Sequence, residues 1–126
     1  MPTQEIPRDE WKSFFDKFTQ QHEGWLASLE IFAPDVGAQQ EALDLPLEGI
    51  STTAKENGPQ TIAISLGKTP EDHVTHTIAD PTRLWLEQTS QRANAALEIE
   101  SADEVKTLLR FRSPLPADMV DGAVLE

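Results

Sequence analysis

Cysteine is absent from this 126-residue chain. That excludes a disulfide framework, a thiolate metal site and a cysteine nucleophile. Basic residues are scarce: ten Lys and Arg stand against 22 Asp and Glu, a net charge of −12. The acids are spread along the chain, with no basic segment and no acidic tail. Nucleic-acid backbones are gripped by clustered cations, so nucleic acid is not an expected partner. Diffuse acidity reads first as solubility, and a basic partner or mimicry of a phosphate backbone is the sharper alternative. Long apolar runs are missing as well. No stretch approaches the ~20 apolar residues of a membrane helix, and Met1 to Glu10 has three acids and no apolar segment of the secretory kind. The chain therefore reads as cytoplasmic, with no membrane partner.

Several chemical motifs are also lacking. No G-x-S-x-G nucleophile elbow occurs. Gly67-Lys68-Thr69 resembles the end of a P-loop, but Ile62 stands where the first glycine is required. No cofactor motif is present, and no cofactor is expected. Many carboxylates are available, but none forms a motif for paired acid–base work.

The residues that remain are organised by period. The length suits one domain over 1–126, with about 115–126 as a loosely ordered tail. Trp11, Phe14, Phe15, Phe18 and His22 fall at i, i+3, i+4, i+7 and i+11, one stripe of an amphipathic helix. Pro7 suits its first position and Gly24 its end. Thr3 to Ile6 ahead of it is a possible short strand. After Gly24 the period is two. Trp25, Ala27, Leu29 and Ile31 predict one face of a strand. Ala38 to Leu45 predicts a polar return strand, and Leu47 to Lys55 a separate one, with Pro46 interrupting between them.

Asn57-Gly58 is the strongest hairpin signal. Gln60 to Leu66 alternates most cleanly. Val74 to Ile78, Thr82 to Gln88, Ala95 to Glu100 and Val105 to Arg112 complete the strands. Close spacing without intervening helices favours antiparallel pairing. The expected fold is α+β: an N-terminal amphipathic helix packed on a strongly curved, mostly antiparallel sheet, or a small β-barrel with the helix as its plug.

Four segments carry a resemblance: Glu5 to Trp11, Gln21 to Leu26, Gly67 to His73 with His76-Thr77-Ile78, and Leu109 to Pro114. Across nearly its whole length the chain is similar to a family of small bacterial proteins known as domain of unknown function 5335. The resemblance implies a bacterial origin and a stand-alone domain. It implies no activity and carries over no catalytic residue.

Two clusters stand out as candidate sites. Glu71, Asp72, His73 and His76 are the densest set of potential metal ligands. Val74, Thr75, Thr77 and Ile78 favour a strand, on which residues three apart point to opposite faces, so the pair is split and no metal site is expected. Arg83 and Trp85 share one strand face, as do Arg110 and Arg112 on another. If those strands are neighbours, the four make a site for a small anionic ligand or a partner's carboxylate. If not, they are ordinary surface pairs. The first functional reading is a non-enzymatic interaction or small-ligand-binding module. The alternatives are an enzyme using a His and carboxylates in a helix–sheet pocket, and a homo-oligomer formed through the sheet edges. The charge pattern predicts no binding to duplex DNA or RNA at physiological salt. A salt-sensitive micromolar complex in a polarisation assay would contradict it.

Overall fold

The computed structural model describes residues 3–53, 60–89 and 93–112. Its elements are β1 (Thr3–Glu5), a 3-10 turn (Arg8–Glu10), α1 (Trp11–His22), β2 (Leu26–Ala33), β3 (Gly37–Thr53), β4 (Thr61–Leu66), β5 (Val74–Ala79), β6 (Pro81–Gln88), β7 (Asn94–Ser101) and β8 (Lys106–Phe111). The strands form one antiparallel sheet in the order β1-β6-β7-β8-β2-β3-β4-β5. Its end strands β1 and β5 do not pair, so the sheet is open and the barrel alternative does not hold. The expected Asn57-Gly58 turn and the tail from 115 lie outside the described residues.

The helix begins later than Pro7. Pro7 adopts an extended ψ of 146° ahead of the 3-10 turn. Trp11 Nε1–H donates to the Ile6 carbonyl at 2.8 Å, fixing the entry of the helix. Trp11, Phe15, Phe18 and His22 are buried, and Phe14 packs against the core from the rim. Burial of each of these large apolar side chains is worth roughly 1.5–3 kcal/mol. Gly24 ends the helix at φ +89°, where a side chain would be strained.

β3 corrects the two-strand expectation. It runs unbroken through Pro46 for 17 residues. Its first half pairs with β2 as far as Pro46, and its second half pairs with β4 from Leu47. Proline lacks an N–H, and here the strand changes partners, so none is missed. The Pro46 carbonyl accepts from Gly67 N–H at 2.8 Å. The edge that β2 leaves open is taken by the helical segment. Leu47 exchanges bonds with Gly24 N–H and the Trp25 carbonyl, both 2.8 Å. Thr19 Oγ1 accepts from Ile50 N–H at 3.1 Å and lies 3.4 Å from the Ile50 carbonyl. Backbone groups that would otherwise be buried unpaired are thus satisfied.

Alternation then sorts the faces. Ala27 and Leu29, Ile62 and Ile64, Leu84 and Leu86, Leu97 and Ile99, and Leu109 and Phe111 point into the core with the helix. Replacement of Phe15 by Ala removes a fully buried ring and is expected to cost about 3–5 kcal/mol. A loss under about 1 kcal/mol in chemical denaturation would contradict the packed-helix account.

Candidate functional site

The outer face of the sheet follows from the same alternation. Three rows of side chains cross it, read here from β1 or β6 outward. The first is Thr3, Glu87, Ala96, Arg110 and Ser28. The second is Glu5, Trp85, Glu98, Leu108 and Glu30. The third is Arg83, Glu100, Lys106 and Phe32. At the centre is a groove of about 310 Å³ lined by Trp85, Glu87, Glu98, Glu100 and Leu108, with Thr3 and Ala96 at its end. The Trp85 indole is half-buried, and its Nε1–H donates to Glu100 Oε1 at 3.2 Å. Glu87 and Glu98 have no hydrogen-bond or ion-pair partner among the described residues.

The four residues singled out in sequence lie on this one face, but not at one point. β7 separates β6 from β8. Arg83 is level with Lys106, and Arg110 with Glu87, which puts the two arginines roughly 16 Å apart by strand spacing. Each arginine has its own carboxylate: Arg83 with Glu5 at 4.0 Å, Arg110 with Glu30 at 3.5 Å and Arg112 with Asp44 at 3.6 Å. Arg83 also lies over the Trp85 ring, 6.0 Å from its centroid. Of the groove's residues Trp85 alone stands out in sequence, and not Glu87, Glu98, Glu100 or Leu108. The signal was available, because Leu97 and Ile99 pointing inward send Glu98 and Glu100 outward.

The candidate metal ligands are dispersed. Asp72 Oδ1 holds its own loop, accepting from Thr69 N–H and Thr69 Oγ1 at 2.9 Å and from Lys68 N–H at 3.2 Å. The Thr69 and Lys68 donors keep the Asp72 carboxyl below the usual carboxylate range. That loop closes the antiparallel β4–β5 hairpin over Gly67, whose φ is +109° and where a Cβ would meet the Asp72 carbonyl at 2.5 Å. His73 Nε2 lies 3.0 Å from Glu48 Oε1 at the surface. His76, level with buried Ile64, turns toward the core face, and desolvation holds it below the ordinary imidazole value against the pull of Glu41. Among the described residues no three His, Asp or Glu gather as a metal site.

A second, more open groove of about 510 Å³ separates α1 from β3 and β4, lined by Asp16, Thr19, Gln20, Glu48, Gly49 and Ser65 among others.

His22 is fully buried, at 1% exposure. It stacks between Phe18 and Phe111, with ring centroids 4.2 and 5.0 Å away. Its Nδ1–H donates to the Phe18 carbonyl at 2.8 Å, which leaves Nε2 to accept from Asn94 Nδ2 at 3.3 Å. Both ring nitrogens are satisfied in the neutral form. Desolvation outweighs the Phe18 carbonyl and lowers the pKa. The unfolded chain then binds a proton that the folded chain refuses, so stability falls as pH drops below about 6.5. His22→Gln is expected to flatten the slope of unfolding free energy between about pH 7 and 5. An unchanged slope would show that His22 does not carry it.

Comparison with known proteins gives the following. The sequence profile of a family of unknown function, DUF5335, matches residues 2–120. An uncharacterized protein of Aquifex aeolicus (strain VF5) is 23% identical over 116 residues, covering 92% of this chain and 97% of that one. Among solved structures, the Bacillus subtilis YojF protein shares the fold with a TM-score of 0.52 at 8% identity, covering 91% of this chain and 98% of that chain. Among the described residues no helix is long and apolar enough to cross a membrane.

Proposed function

From a chain that belongs to the DUF5335 family of unknown function, we propose a non-catalytic, cytoplasmic interaction module that docks a protein on the outer face of its sheet. The observation that carries this is the groove at Trp85: a half-buried indole beside Leu108, ringed by Glu87, Glu98 and Glu100. Aromatic anchors inside a polar rim are the usual composition of binding surfaces. Leu26 and Phe32 extend the apolar part of the same face, 39% and 37% exposed. The charges at its edge supply specificity more than affinity. A small anion is less well served, because Arg83, Arg110 and Arg112 are spread out and each faces a carboxylate. The remaining displaced carboxyls, Asp72 and Asp103, serve turns.

A second reading, acid–base chemistry in the groove beside α1, is favoured by the 3.0 Å contact of His73 with Glu48. Both side chains are 36% or more exposed there, and water screens such a pair.

The test is affinity capture with the whole chain as bait, from cells that make it. A protein captured by the wild type and by His73→Gln is expected to be lost with Trp85→Asp and with Glu98→Lys, each variant being shown folded by thermal unfolding. The same proteins captured by the wild type and by Glu98→Lys would overturn the reading. Loss with His73→Gln alone would move the site to the helix-side groove.

A further inference from the structure

The charges on the outer face are sorted by strand. β6 and β7 present Glu87, Glu98 and Glu100 against one cation, Arg83, whereas β8 presents Lys106 and Arg110, with Arg112 just beyond its end, against one acid of β2, Glu30. Leu108 lies level with Glu98 and Trp85, between the two cations of β8. A face mainly acidic on one side and mainly basic on the other is complementary to itself. A two-fold axis along the strands, between β7 and β8, lays the β7 column of one copy on the β8 column of the other. Glu100 then meets the second copy's lysine at position 106. Glu98 meets its leucine at 108, between the two cations. Trp85, on β6, comes level with the second copy's glutamate at position 30, on its β2. An axis across the strands instead sets Lys106 against Arg110 and Ala96 against Glu100. The first arrangement sets Glu100 on Lys106, whereas the second opposes like charges, so the first is the one that suits an isologous interface.

Resting on the docking reading above, we propose that the occupant of this face is a second copy of the chain, packed sheet on sheet. Six strands by about six residues give roughly 29 by 20 Å. With side-chain relief this approaches the ~800 Å² that each partner contributes to a standard interface. Four of the chain's ten basic residues, Arg83, Lys106, Arg110 and Arg112, lie on this face. They leave this face nearer neutrality than the net charge of −12 on the whole chain would suggest. Beyond about 8 Å physiological salt screens what remains. The β7 carboxylates Glu98 and Glu100, which have no ion pair among the described residues, gain cations across the axis.

The experiment is a charge swap read by sedimentation and native mass spectrometry on the full chain. The wild type is expected to be dimeric. The double variants Glu98→Arg with Glu100→Arg and Lys106→Glu with Arg110→Glu are each expected to be monomeric. Mixed together they are expected to form the one-to-one heterodimer, because each then offers the other opposite charge. Unfolding curves check that both variants fold. A wild type monomeric up to about 1 mM would overturn the proposal. So would a dimer unaffected by either variant, which would place the interface elsewhere, for example at the sheet edges. If the wild type is monomeric while Glu98→Lys still abolishes capture of another protein, the second copy is refuted and the docking face stands. If capture is also unchanged, both fail.

Discussion

An eight-stranded open sheet has more inner surface than one twelve-residue helix can cover, and the change of partner along β3 at Pro46 bears on this. The strand leaves β2 at that point and joins β4 at the next residue. Inner-face residues from both halves and from α1 share one core. The switch is pinned on each side by backbone bonds, from Gly24 and to Trp25 at Leu47, and from Gly67 at Pro46 itself. Those three contacts also fix where the helix ends and where the β4–β5 hairpin begins. Without them the exposed edge of β3 would leave polar groups unpaired inside the protein.

The helix contributes in two ways. Its aromatic stripe fills the interior, and its Thr19 hydroxyl supplies the hydrogen bonds of a missing neighbour strand to Ile50. His22 extends the stripe because a neutral imidazole with both nitrogens partnered packs like an aromatic ring between Phe18 and Phe111. With the core closed from within, the outer face of β6, β7, β8 and β2 needs no helix. It is left as a broad surface of mixed charge around Trp85 and Leu108.

Much of this was legible along the chain. The helix stripe from Trp11 to His22 and the alternation of Gln60 to Leu66 appear where periodicity put them, because burial on one face dictates each residue in turn. β3 was misread as two strands because proline usually marks an interruption. At Pro46 the missing N–H falls where the strand changes partners and costs nothing. The outer face was legible only by halves. Period two showed that Arg83 and Trp85 share a face and that Arg110 and Arg112 do too. Their separation depends on β7 lying between β6 and β8, and on register, which are properties of pairing between distant segments. The glutamates of the groove do not stand out in a chain with 22 acidic residues.

The strand order has a kinetic consequence. β2 through β5 are paired with their successors in sequence, and so are β6 through β8. Each meander needs only short loops to close, and hairpins of that kind form in microseconds. β2 and β8 join the two meanders across some seventy residues of intervening chain, and β1 must reach β6. Loop-closure entropy makes such distant pairings late. Until that seam forms, β2 and β8 each expose an unpaired edge with an apolar side. A nascent chain is therefore most prone to aggregate after β5 has emerged and before β8 has.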